Sequence, residues 1–280
     1  MVVVLLALGS AVAYGLSDFV GGSLARRSRI WPVAVVAQIT STAATGVIAL
    51  LFTGAPTTPD WVWGGVAGVG SGVGAVFLYH GLASGRMSVV APLSAVAAAV
   101  LPVVAGFIAG ERPTIVTWLG IVCAFPAIWL VSRAAEEAPG DDRTLRAGVA
   151  DGLLAGLGFG ALFAALGQVN VGSGLGPLAL AQATSVVAIV ALATGLRQPW
   201  LPRHRGEAAA GVAGLLGALA TLLFLLATRT GLLTVAAVLS SLYPATTVVL
   251  AALVLHERIR RSQGAGLVLA GAAVALVAAG

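Results

Sequence analysis

The chain has 280 residues, of which 59% are hydrophobic and only 9% are charged. A soluble domain carries roughly 25% charged residues and cannot hide so much apolar surface, so this composition excludes a water-soluble fold. The net charge of +5 comes with 15 basic residues, all of them Arg, which stand between apolar runs. That placement indicates membrane topology and argues against nucleic-acid binding.

Ten apolar runs of about 20 residues follow one another along the chain. Because backbone polar groups in lipid need partners within their own segment, these runs predict transmembrane helices and an all-α polytopic membrane protein. The first run lacks the basic leader of a signal peptide and is interpreted as a span. The predicted spans are Val2 to Gly22, Trp31 to Phe52, Trp61 to Ala83, Ser88 to Ala109, Thr114 to Val131, Ala147 to Val169, Gly176 to Leu196, Ala208 to Ala227, Leu232 to Leu255 and Gly264 to Ala279.

A polar interval divides the ten spans into five and five. Residues 1–132 are predicted to form the first repeat, 133–146 a polar linker and 147–280 the second repeat. A shift of 146 positions superimposes identical residues of the two halves. The informative pairs are Gly85 with Gly231, Ser94 with Ser240, Glu111 with Glu257, Arg112 with Arg258 and Gly120 with Gly266. Because five is odd, the second repeat should enter the membrane upside down, which is the inverted-repeat design of secondary transporters.

An acidic and a basic residue follow the fourth span of each repeat, Glu111 with Arg112 and Glu257 with Arg258. A carboxylate at a helix C-terminus opposes the helix dipole. We therefore expect each glutamate to pair with a neighbouring Arg or to cap the next helix, with proton coupling as the alternative.

Two segments resemble the C-terminal part of an EamA domain. They are LYHGLASGRMSVVAPLSAVAAAVLPVVAGFIAGERPT at 78–114 and TRTGLLTVAAVLSSLYPATTVVLAALVLHERI at 228–259, while AYGLSDFVGG at 13–22 is similar to the opening of the first domain. The proline usual before the glutamate is present as Pro244, but the first repeat has Ala98 at that position. The resemblance implies two tandem EamA units of the drug/metabolite transporter superfamily. It further implies a ten-helix bundle around a central cavity, and transport of amino acids, metabolites or drug-like compounds, often outward.

Ionisable residues inside membrane spans are costly and point to function. Asp18 lies near the end of span one, four residues after Tyr14, and His80 lies at a similar depth in span three. Because these two span ends emerge on the same side, Asp18 and His80 can meet, and such a pair would bind a cationic or zwitterionic substrate or exchange a proton. The alternative is that Asp18 caps a helix or pairs with Arg26, while His80 bonds a carbonyl.

Uncharged polar residues within the spans are candidates for the cavity lining, with interhelical hydrogen bonding as the alternative. They are Gln38, Ser94, Gln168, Asn170, Gln182, Ser240 and Tyr243. Asp151 is interpreted as a first-turn helix charge. We expect no catalytic residue, no cofactor and no metal site.

The sequence therefore predicts a secondary active transporter and exporter of small molecules in the cytoplasmic membrane, acting as a monomer, with proton coupling left open. A membrane scaffold or a membrane-embedded enzyme is the alternative.

Thirteen Arg residues follow the odd-numbered spans and two follow the even-numbered ones. The positive-inside rule then places both termini outside, whereas the EamA resemblance implies cytoplasmic termini.

Overall fold

A computed structural model of the chain describes residues 1–25, 27–83, 87–132, 142–254 and 261–280. Within these ranges the chain forms α-helices and two short 3-10 turns, without a strand. Glu257, Arg258 and most of the linker lie outside the described residues. The helices are α1 (Val2–Ala25), α2 (Ile30–Leu51), α3 (Thr58–Ala83), α4 (Met87–Ile108), α5 (Ile115–Ser132), α6 (Asp142–Leu166), α7 (Gly176–Gly195), α8 (Ala210–Thr228), α9 (Leu233–Ser240), α10 (Tyr243–Val254) and α11 (Arg261–Ala279).

Eight segments of the described chain are long and apolar enough to cross a membrane. Six of them lie within single helices, Gly206–Thr228 joins a 3-10 turn to α8, and Leu233–Val254 joins α9 and α10. The apolar parts of α4 and α5, Leu93–Ile108 and Ile115–Leu130, are shorter. The prediction of an all-helical membrane protein is therefore confirmed, and the count of ten spans stays a prediction.

Large apolar side chains cover the outside of the bundle. Val47, Ile115 and Val268 are 63%, 81% and 76% exposed, each in the apolar part of a helix. Side chains in such number would be unfavourable in water, but they match the hydrocarbon of a bilayer. The outer surface of the bundle therefore faces lipid.

The core of the bundle is built between the two halves of the chain. Helix α1 packs on α8 and α6 packs on α3; likewise α2 packs on α8, α7 packs on α3, and α5 packs on α11. A Cβ atom at Gly68 would lie 2.1 Å from the Ala181 carbonyl oxygen, and one at Gly214 would lie 2.0 Å from that of Ala37. Only glycine permits these close crossings. Gly68 and Gly214 are also related by the 146-residue shift, so the two crossings are equivalent.

The ninth predicted span is broken. Residues Leu232 to Leu255 were expected to form one helix, but α9 ends at Ser240 and α10 begins at Tyr243. Pro244 has no N–H with which to bond the Ser240 carbonyl, which is the physical reason for the break. The hydroxyl of Ser241, at the break, is buried without a hydrogen-bond partner among the described residues.

Candidate functional site

A small cavity lies between the two halves of the bundle, and we call it the central cavity. Its volume is about 50 Å³, which is room for a few water molecules at most. Helices α1, α2 and α3 line it from the first half, and α6, α7 and α8 from the second. Its polar lining residues are Tyr14, Ser17, Asp18, Gln38, Ser71, Tyr79, Gln182 and Thr221.

Among the described residues that line the central cavity, Asp18 is the one that carries a carboxylate. It lies seven residues before the end of α1 at Ala25, which corresponds to about 10 Å of helix. Tyr14 lies one turn earlier on the same face and also lines the cavity. The Tyr14 hydroxyl is buried and has no hydrogen-bond partner among the described residues. The cavity thus combines a carboxylate with an unsatisfied hydroxyl, which is an arrangement suited to a polar ligand.

Two glutamines occupy corresponding helices of the two halves. Gln38 on α2 donates its amide to Ser71 at 3.4 Å and also to Ser185. Gln182 on α7 donates its amide to Thr221 at 2.8 Å. These bonds are the interhelical hydrogen bonds that the sequence offered as an alternative, yet both side chains also line the central cavity. The two roles therefore coexist at both positions.

An aromatic cluster lies beside the central cavity. The Tyr14 ring is 5.8 Å from that of Phe163 and 6.3 Å from that of Tyr243, and Phe163 packs 4.4 Å from Phe224. The Tyr243 hydroxyl lies 3.3 Å from the Ser94 hydroxyl. Tyr243 therefore contacts the cavity-lining Tyr14, and Ser94 contacts Tyr243.

The remaining serine candidate is a packing residue. Ser240, just before the break in the ninth span, is fully buried and donates its hydroxyl to the Ala7 carbonyl at 3.3 Å. It thereby joins α9 to α1 in the core of the bundle and is outside the lining of the central cavity.

His80 has a different partner from the one considered in the sequence analysis. Its Nδ1 atom lies 3.0 Å from the Asp151 carboxylate, which joins α3 to α6. The interpretation of Asp151 as a first-turn charge is wrong, because α6 already begins at Asp142. His80 also lines an open recess of about 690 Å³ with Arg29 and Trp31. His80 and Asp151 therefore form a pair between the halves, at the end of the bundle that we call the His80 end.

The opposite end of the bundle, which we call the Asp60 end, is closed by polar contacts between the halves. Asp60 accepts hydrogen bonds from the Thr57 N–H and hydroxyl at 2.8 and 2.7 Å, and from the Asn170 N–H and side-chain amide at 2.8 and 2.9 Å. The Ala55 N–H donates to the Gly172 carbonyl at 3.0 Å. Asp60 was not among the candidate residues named from the sequence. It is an acidic residue in the first turn of a span, and such a residue is usually a local helix cap.

Glu111 closes the same end in a way that the sequence predicted only in part. Its carboxylate accepts the N–H groups of Leu233 and Thr234 at 2.5 and 3.0 Å, and also the Thr234 hydroxyl. The glutamate therefore caps a helix, as expected, but the helix is α9 of the other half and not the next one, α5. Arg112 instead donates to the Phe107 and Glu111 carbonyls and lies over the Phe107 ring at 5.1 Å.

Comparison with known proteins agrees with this architecture. The model of the EamA-like transporter family matches the chain twice, over residues 1–133 and 146–279. A solved structure described as "Crystal structure of protein" has 16% sequence identity and a TM-score of 0.70, and the match covers 98% of this chain and 95% of that one. At that identity the likeness shows the fold alone. No curated protein matches the sequence. The resemblance to two tandem EamA units is thus confirmed, and the chain belongs to the EamA-like transporter family.

Proposed function

We propose that the protein is a secondary active transporter that moves small metabolites, amino acids or drug-like organic compounds outward across the cytoplasmic membrane by alternating access. The observation that carries this proposal is the central cavity, which both halves of the bundle enclose around Asp18. A midplane site at the interface of two repeats is the arrangement that such transporters share.

The equivalent crossings at Gly68 and Gly214 support ten spans in two inverted repeats. In each crossing the third helix of one half meets the second helix of the other, so the two halves exchange roles. An arrangement of this kind has a mirror conformation of similar energy, in which the open and closed ends change places. Alternating access uses those two conformations.

The two ends of the bundle differ, as expected for a transporter in one state of an alternating-access cycle. The Asp60 end is closed by bonds between the halves, whereas the His80 end carries the open recess. The cavity of about 50 Å³ is far below the roughly 300–1,000 Å³ of a typical ligand pocket. Substrate loading therefore requires the cavity to widen, and the recess at the His80 end is the approach.

Two titratable sites are available for proton coupling. Asp18 lies in the cavity, and the His80–Asp151 pair lies between the recess and the packed core. Protonation of His80 would turn its hydrogen bond with Asp151 into an ion pair and would strengthen the contact between α3 and α6. A proton gradient could thereby favour one conformation.

Counterflow into proteoliposomes tests the proposal. A panel of amino acids and organic cations is offered with and without an imposed pH gradient, to the wild type and to the variants Asp18→Asn and His80→Ala. We expect flux of at least one compound, a loss of flux in Asp18→Asn, and a changed dependence on the pH gradient in His80→Ala. Ser23→Ala, an exposed change on the same helix as Asp18, is the matched control and should behave as wild type.

Absence of flux for every compound would contradict transport and favour the alternative of a scaffold or a membrane-embedded enzyme. Flux that is unchanged in both variants would leave transport standing and remove Asp18 and His80 from the mechanism.

A further inference from the structure

We propose that the central cavity selects an organic ammonium ion over a compound that also carries a carboxylate. The inference rests on the proposed function, since it names the substrate class of the same site. It follows from three properties of the cavity: its acidic group, its hydrogen-bond acceptors and its aromatic walls.

The ionisable group of the cavity is acidic, so its charged form is negative. Asp18 is a lining residue, and neither Arg nor His occurs among the residues that line the cavity in the described chain. Arg29 and His80 lie in the separate recess. In a site removed from water, a charge without a partner is costly. An ammonium ion finds its counter-charge at Asp18, but a substrate carboxylate would find none.

The hydrogen-bonding atoms of the cavity favour the same ligand. The amide N–H groups of Gln38 and Gln182 donate to hydroxyls, which leaves the amide oxygens as acceptors. The Ser17 hydroxyl donates to the Ala213 carbonyl at 2.9 Å, and the Thr221 hydroxyl to that of Gly217 at 2.9 Å. These four side chains thus direct donors to the protein while the two amide oxygens remain as acceptors, and the Tyr14 hydroxyl can donate or accept. An ammonium group supplies donors, whereas a carboxylate requires them.

Aromatic rings complete the site. Tyr14, Tyr79 and Phe159 all line the cavity beside Asp18. The faces of such rings attract cations, by about 0.5–2 kcal/mol at a desolvated site, and they also pack against an apolar substrate tail. An amine with a hydrophobic substituent therefore satisfies the carboxylate, the acceptors and the rings together.

Phenethylamine and phenylalanine test the inference, because the two compounds differ only by the carboxylate. Their equilibrium binding to the purified full-length protein in detergent is compared at neutral pH, where the amine is a cation. We expect the amine to bind about tenfold or more tightly, since the amino acid must bury an uncompensated charge. Binding in detergent is separate from flux, so a transporter that prefers phenylalanine would refute the substrate class and leave the proposed function intact.

Two variants test whether a preference for phenethylamine over phenylalanine arises from the central cavity. Asp18→Asn should reduce the preference for phenethylamine severalfold, whereas Gln38→Glu, which adds a second negative charge, should increase it. Melting temperatures show whether each variant remains folded, and the Glu variant keeps the inference testable if the Asn variant does not fold. Binding of phenethylamine no tighter than that of phenylalanine, or a preference unchanged by both variants, would overturn the inference.

Discussion

The Asp60 carboxylate joins the start of α3 to the second half of the chain. One oxygen bonds Thr57 just before α3, and the other bonds the backbone and side chain of Asn170 in the second half. The side chain is fully buried in the interface. Such a residue acts as a local cap and as a contact between repeats, and only the first role can be inferred from its position in the sequence.

Asp60→Asn should weaken the closed Asp60 end, because one acceptor oxygen becomes an NH2 group that must face the N–H donor of either Thr57 or Asn170. We expect a loss of about 1–3 kcal/mol in the free energy of unfolding. We also expect faster labelling of a cysteine placed at the neighbouring position 172.

Glu207→Gln is the matched control for this change. Glu207 is also buried, but the hydrogen bonds that it accepts among the described residues come from the Arg203 and His204 N–H groups of its own segment, at 2.7 and 3.1 Å. Its loss should lower stability without changing the labelling at position 172. Equal labelling in both variants would contradict the role of Asp60 as a contact between the repeats.

At the scale of elements, α9 depends on the other repeat for its N-terminal cap. The first N–H groups of a helix have no partner within the helix. The Glu111 carboxylate supplies one to Leu233 and Thr234, and its negative charge also suits the positive end of the helix dipole. Since α9 is only eight residues long, a large share of its stability rests on this contact.

Glu111→Gln should therefore destabilise the protein by roughly 1–2 kcal/mol, through the lost charge and the weakened hydrogen bonds. Thermal or denaturant unfolding in detergent measures the change. Arg112 is an exposed neighbour whose contacts in the described chain are nearby backbone carbonyls and the Phe107 ring. Arg112→Gln should therefore cost less than about 0.5 kcal/mol. A larger effect at Arg112 than at Glu111 would show that the cap is not the important contact.

At the scale of the whole molecule, alternating access requires the Asp60 end to open. Ala55 and Gly172 face each other there, joined by a backbone hydrogen bond of 3.0 Å. A Cβ atom at Gly172 would meet no other atom within 4 Å, so a cysteine fits at that position.

Cross-linking of the double variant Ala55→Cys, Gly172→Cys with a short bifunctional methanethiosulfonate reagent should stop flux, and a reducing agent should restore it, because the cross-link would hold the two halves together at this end. The measurement is made with Cys123→Ala, which removes the single native cysteine. Each single-cysteine variant is a control and should keep its flux after the same treatment. Full flux through a completely cross-linked protein would contradict the opening of this end.

The orientation of the bundle follows from the Arg count and stays a prediction. Thirteen of the 15 Arg residues follow odd-numbered predicted spans in the sequence. His80 lies near the end of the third span, so the His80 end should be cytoplasmic. A cysteine at Ser28, in the Cys123→Ala background, should be protected from an impermeant thiol reagent added to intact cells. A cysteine at Thr53, exposed at the Asp60 end, should react. The reverse pattern would contradict this orientation.

The sequence by itself determined the membrane helices and the two repeats. Hydropathy belongs to consecutive residues and needs no knowledge of packing, and the repeat is a comparison of letters at a fixed shift. Gln38 and Gln182 were identified for the same reason, because a polar side chain within an apolar run is visible without a structure. Even so, span nine was predicted as one helix although Pro244 was noted, since an apolar run looks continuous whether or not its helix is.

Only the tertiary structure decided which polar groups meet. His80 pairs with Asp151 across 71 positions, Asp60 with Asn170 across 110, and Glu111 with Thr234 across 123. Each of these pairs joins one half of the bundle to the other, so it depends on how the halves pack and not on the spacing within either. Hydropathy gives every span the same general environment, and it cannot tell which face of a helix turns toward a cavity, a partner or lipid.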